Sequence, residues 1–298
     1  MKNLLLMAIA AGFASVTLVG CGGEEEKNQV TVNNDTLPKK DTTQMEDEIF
    51  YQIPTPNELF SIIKQIGGKG NQSILHKIDA ASKYNDPRQK ALNFGVYSAD
   101  LAYASSYDFG TLNLDYLNLI KKMGDEMDIS GAFDKTVFDQ ASKNIDNNDS
   151  IMKISNKVYF KAYQYLEDND RGNTLGHIVT GAWIESLYLI TTLAGDYKEK
   201  DPVIQRIAEQ KFNYENLWGF LMRFQDDEGI KKTIAEIEEL GMIFESLESV
   251  DTGEVKVEEK DGKNIIVGGS EIVINKQQYT DLVKKIKELR NRFISVNA

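Results

Sequence analysis

Two stretches of the chain place ionisable side chains among residues that are otherwise apolar or small. Asn93, Tyr97 and Asp100 are spaced i, i+4 and i+7, so on a helix they share one face. Glu185 and Tyr188 are i and i+3 on a second stretch, with Trp183 beside them and His177 eight positions earlier, near the same side. A carboxyl group held between two buried helices has a shifted pKa and can serve as an acid, a base or a ligand anchor. That makes a polar pocket around Asp100 and Glu185 one reading. The other is a satisfied internal network, in which Tyr hydroxyls and the Trp N–H donate to carboxylates and His177 caps a helix start. This second reading is the favoured one, because structural networks perturb carboxylates as readily as active sites do.

Other chemistries lack their residue sets. The only histidines are His76 and His177, and neither belongs to an HExxH or ExxH motif, so no metal site and no di-iron bundle is expected. Gly176-His177 comes near the GxHxxE of imelysin-type proteins but lacks the Glu at the required spacing. His76 falls on an amphipathic pattern and reads as a half-buried packing residue. There is no GxSxG, and Gly67-Gly68-Lys69-Gly70 lacks the order of a phosphate loop and reads as a helix stop. Asp146-Asn147-Asn148-Asp149 is too short for a calcium loop and suits a turn with an N-cap. Tyr159, Phe160, Tyr163 and Tyr165 have helical spacing and are expected in the core rather than on a sugar-stacking platform. No cofactor, metal or catalytic residue is expected, and an enzyme is the less favoured outcome.

Cys21 is the only cysteine in 298 residues, so no intrachain disulfide is possible. It follows Lys2, an apolar or small stretch over Leu4–Val19, and Leu18-Val19-Gly20. This resembles a bacterial lipoprotein signal ending in a lipobox, with cleavage before Cys21 and acylation of that residue. Two or three acyl chains hold a protein durably on a bilayer, where one does so only marginally. Removing residues 1–20 takes away Lys2 and moves the net charge from −12 to −13, which repels nucleic acid and anionic lipid. Residues 21–48 are polar, begin with Gly22-Gly23 and Glu24-Glu25-Glu26, and read as a flexible tether. The acidic run resembles the surface-export signal of Bacteroidetes lipoproteins. A plain solvated linker is the alternative.

The elements that would position these residues are helices, in one domain over residues 49–298. Thr55-Pro56-Asn57-Glu58 starts the first, to Ile66. Further helices are expected from Asn71 to Tyr84, Asp86-Pro87 to Ser105, Asn113 or Asp115 to Met127, Gly131 to Ser142, Asn148 to Leu166, and Asn173 to Leu193. Two more run from Asp201-Pro202 to Phe224, with a break near Asn213, and from Glu228 to Glu248. Residues 252–274 alternate in a β-like way, with Asp261-Gly262 as a turn, and Asn275 caps a last helix to Ser295. The stretches 91–104 and 176–190 are apolar all round and should be central. Small residues (Gly95, Ala99, Ala102; Gly176, Gly181, Ala182) should let their backbones approach closely. The fold class is therefore an all-α multi-helix bundle with a small β-hairpin, a helical-repeat arrangement being open as well.

The words ALNFGVYSADLAYASSYD (91–108) and GAWIESLYLI (181–190), preceded by IPTPNELF (53–60), resemble those of a group of uncharacterised helical lipoproteins of Bacteroidetes, through most of residues 50–250. The resemblance implies a helical fold and an envelope location, with outer-membrane anchoring and possible surface exposure. It carries no activity. The expected role is binding or structural, toward an envelope protein or glycan. An enzyme or small-ligand protein using Asp100 and Glu185 is the alternative.

Overall fold

The computed structural model describes residue 67 and residues 69–295, apart from 108, 133–134, 145–146 and 261–262. The lipobox, the tether, the helix expected over 55–66 and the Asp261-Gly262 turn lie outside the described residues. All the described residues belong to one unit, Ile49–Ala298. Among them no helix is long and apolar enough to cross a membrane.

The helices are α1 (Pro87–Ser106), α2 (Thr111–Glu126), α3 (Lys135–Lys143), α4 (Asn148–Asp168), α5 (Gly172–Ala194), α6 (Pro202–Ala208), α7 (Gln210–Met222), α8 (Glu228–Glu245) and α9 (Lys276–Phe293). Between α8 and α9 an antiparallel hairpin joins β1 (Glu248–Lys260) to β2 (Lys263–Val273). The chain is thus an all-α bundle with one small hairpin.

Several starts are set by side-chain caps. Asp86 accepts from the Gln89 N–H, Asp201 from Val203, and Asp227 from Ile230. Asn275 and Gln278 form a reciprocal capping box at α9. Asn147 caps α4, as a turn-plus-cap reading requires. α2 begins earlier than Asn113, at Thr111, after Gly110 has turned the chain with φ of 56°. The break in the 202–222 region falls at Glu209 rather than Asn213. The hairpin starts at Glu248, ahead of the expected 252, and its first residue pairs with Val273 at the end of β2.

α1 and α5 are the central pair. Fifteen of the twenty residues of α1 and seventeen of the twenty-three of α5 are buried, which leaves neither helix a solvent face. Their backbones touch at two reciprocal points. A Cβ on Gly95 would overlap the Ile178 carbonyl, and one on Gly181 would overlap the Leu92 carbonyl. Gly176 does not join this contact; it makes room for Leu221 of α7 and Ile230 of α8. α2 and α4 pack on α1, and α6 to α9 pack on α5, so the helices surround one pair instead of stacking as successive repeats.

The segment 71–84 departs from expectation. It is two short 3₁₀ turns, Gln72–Ile74 and Ile78–Lys83, and not an α-helix. The reason is visible in its hydrogen bonds. Side chains from elsewhere take its backbone groups: Tyr103 accepts from the Asn71 N–H, Asp100 accepts from the His76 N–H, and Tyr116 and Tyr97 donate to the carbonyls of His76 and Lys77. With those groups taken, an i→i−4 ladder cannot form.

Candidate functional site

The two acids meet where α1 and α5 cross beneath α9. Asp100 and Glu185 are both 0% exposed. α9 supplies the partner that the acids' own helices lack. Arg290 reaches Glu185 with two bonds, Nε to Oε2 at 2.8 Å and Nη2 to Oε1 at 3.0 Å. Its guanidinium also lies 4.4 Å from the Tyr188 ring centroid, a cation–π contact. Arg290 sits on the apolar stripe of α9, between Ile286 and Phe293, and is 8% exposed.

Asp100 Oδ2 accepts from the His76 N–H at 3.1 Å, while Oδ1 finds no N–H or hydroxyl donor. Its remaining neighbour is the Glu185 carboxyl. Burial raises the pKa of Asp100 well above the usual carboxylate range, and the negative Glu185 raises it further. Burial raises Glu185 too, against the pull of Arg290. Burial works against the Arg290 charge, and Glu185 overcomes it. Burial and the mutual repulsion of the two acids favour the protonated form most at Asp100, the acid that Arg290 does not bond.

Around it lies a ring of phenols and one imidazole. His76 Nε2 and the Tyr84 hydroxyl are 2.7 Å apart, Tyr84 donates to the Ile294 carbonyl at 2.9 Å, and the His76 ring stacks on Tyr97 at 5.1 Å. Tyr116 and Tyr97 donate to backbone carbonyls at 2.7 and 2.9 Å. Burial, then the nearby Arg290 charge, lower the His76 pKa to about 4, so its ring is neutral near pH 7. His76 is thus not a half-buried residue on a helix face. It is 8% exposed and is held through its ring, its N–H and its carbonyl.

The other residues picked out by spacing go elsewhere. Asn93 donates to the carbonyls of Gln89 and Phe293, both at 2.9 Å, and so ties α1 to the end of α9. His177 does not join Glu185: its Nδ1 is 3.0 Å from the Thr233 hydroxyl of α8, which also accepts from Arg88 Nε. Burial, then Arg88, lower its pKa to about 4. Eight residues is slightly more than two helical turns, and that offset aims His177 at α8 instead. Trp183 donates to Gln210 Oε1 at 3.3 Å and packs beside Tyr214 and Phe244. In the aromatic cluster of α4, Tyr159 is in the core while Phe160 is 50% exposed.

The residue that sequence reading missed is Arg290. Its signal was a cation on the apolar stripe Tyr279, Leu282, Ile286, Leu289 and Phe293, which predicts a buried acid opposite. Among the described residues no group of three His, Cys, Asp or Glu side chains could hold a metal ion. No family model matches the chain, nor does any curated protein or solved structure.

Proposed function

We propose that the chain is an envelope lipoprotein, held on the outer membrane through acylated Cys21, whose helical domain has a binding or structural role. The observation that carries this reading is Leu18-Val19-Gly20-Cys21 after a basic start and an apolar run, with Cys21 the sole cysteine. The polar, acidic residues 22–48 suit a tether, and the net negative charge argues against nucleic acid as a partner. An envelope protein or glycan is the partner class.

The buried centre supports a non-catalytic role for its acids. A catalytic carboxyl must reach a substrate, whereas Asp100 and Glu185 are closed off and bonded to His76 and Arg290. The alternative, an enzyme or small-ligand site at these two residues, requires α9 to lift and break the Arg290 bonds.

Replacing Cys21 with Ser tests the anchor. In an exporting Gram-negative host, the native chain should incorporate labelled palmitate and fractionate with membranes, and the variant should do neither. Undiminished labelling of the variant overturns the proposal.

A further inference from the structure

α7 and α8 lie side by side and leave a groove of about 280 Å³ between them. Tyr214, Glu215 and Trp218 line it from α7, and Glu238, Met242 and Glu245 from α8. The floor is aromatic: the Tyr214 and Trp218 centroids are 5.9 Å apart with planes at 42°. Tyr214 is fixed from below by stacking on Phe244 at 5.9 Å, and is only 6% exposed. Its hydroxyl crosses to α8 over Gly241, where any Cβ would overlap it. Among the described residues this hydroxyl has no hydrogen-bond partner, although it belongs to a side chain more than nine-tenths buried. It opens on the groove, where it can donate or accept one hydrogen bond.

The walls are acidic. Glu215, Glu238 and Glu245 are exposed, and no Lys or Arg lines the groove. Elsewhere on the surface Glu126, Glu209, Glu228 and Glu239 each hold a Lys or Arg. Among the described residues these three hold none, and Lys211, one turn before Glu215, gives its ammonium to the Leu247 carbonyl at 3.1 Å. Glu238 and Glu245 lie on one stripe of α8, seven residues and hence about 10 Å apart, with Gly241 and the phenol between them. Burial raises the Tyr214 pKa, and the negative charges of Glu245 and Glu238 raise it further.

We propose that this groove binds a linear aliphatic polyamine, its terminal ammonium groups at Glu238 and Glu245 and its methylenes across Trp218, Tyr214 and Met242. The chemistry is matched at each point. Ammonium groups donate to carboxylates and to the phenol oxygen. A cation over Trp or Tyr is attracted by the ring face. Met242, 61% exposed, is a polarizable apolar surface for an alkyl chain. The site is independent of the Cys21 anchor and of the buried acids.

Spermidine titrated calorimetrically into the detergent-solubilised full chain tests it, with 1,8-octanediol as the uncharged control. Saturable binding of one spermidine per chain is expected, and none of the diol. The Glu238→Gln/Glu245→Gln variant and Trp218→Ala should each weaken binding at least tenfold, while Glu199→Gln, an exposed acid outside the groove, should not. Since Glu238 and Glu245 are exposed, their variant stays folded, as circular dichroism will verify, even if Trp218→Ala does not. Absence of saturable binding overturns the proposal. So does equal weakening by Glu199→Gln, which marks diffuse counterion association with an acidic surface. Binding of a lysine peptide without spermidine also overturns it.

Discussion

Arg290 holds both carboxylate oxygens of Glu185, 105 positions away in the chain, at 2.8 and 3.0 Å. Neither side chain has a solvated alternative: Glu185 is 0% and Arg290 8% exposed. Breaking such a pair from one side leaves a buried charge alone, whereas removing both partners need not. Glu185→Gln and Arg290→Met should each lower unfolding free energy by about 3–5 kcal/mol. The double variant should lose clearly less than the sum. Urea unfolding of the four proteins measures the coupling, and simple additivity would show that the pair does not act as a unit.

The raised pKa of Asp100 gives stability a signature in pH. Folded Asp100 keeps its proton well above 3.8, where an unfolded one loses it, so the folded state binds more protons there. Stability therefore falls as pH rises from the carboxylate range toward the folded pKa. His76 and His177 act in the opposite sense. Each is lowered from 6.5 to about 4, so the unfolded state binds more protons in that window and stability falls on acidification through it. Asp100→Asn keeps an acceptor for the His76 N–H and a donor toward Glu185. It should stay within about 1 kcal/mol of the native chain near neutrality. It should also flatten the alkaline decline and leave the acid limb intact. Urea midpoints from pH 4 to 9 decide it; an unaltered alkaline slope in the variant would place the proton elsewhere.

The crossing of α1 and α5 should tolerate no side chain at its two glycines. Gly95→Ala and Gly181→Ala each drive a methyl group into a carbonyl of the facing helix. Backbone cannot rotate away as a side chain can, so each should cost about 3 kcal/mol or more, at the upper end for overpacking. Gly176→Ala meets only the Leu221 and Ile230 side chains and should cost less. Thermal melts of the three variants test the ranking, and equal loss at all three would contradict it.

Local signals in the sequence carried far along this chain. Asp86-Pro87, Asp201-Pro202 and Asn275 mark true helix starts because each cap needs only the next turn of backbone. The all-round apolar pattern of 91–104 and 176–190 identified the central pair, and Gly95 and Gly181 their point of contact. What failed was whatever depended on distant partners. Residues 71–84 have helical periodicity, yet Tyr97, Asp100, Tyr103 and Tyr116 claim their backbone. Asp100 and Glu185 could be named as neighbours across two helices. That Arg290 completes them is a long-range fact, visible beforehand only as a cation on an apolar stripe. His177, placed with Glu185 by counting turns, belongs to α8, because two turns of offset accumulate enough rotation to change its neighbour.

The end of α9 also fixes when the domain can be finished. Tyr84, Asn93 and Gln89 donate to the carbonyls of Ile294, Phe293 and Ser295, and the two central acids wait for Arg290. During synthesis the first two-thirds of the bundle emerges before these carbonyls are made and before the two acids can meet their cation. Closing the centre at that stage would bury them uncompensated. Completion therefore waits until residues 290–295 have joined the bundle, and a chain stopped short of residue 290 stays open at its centre.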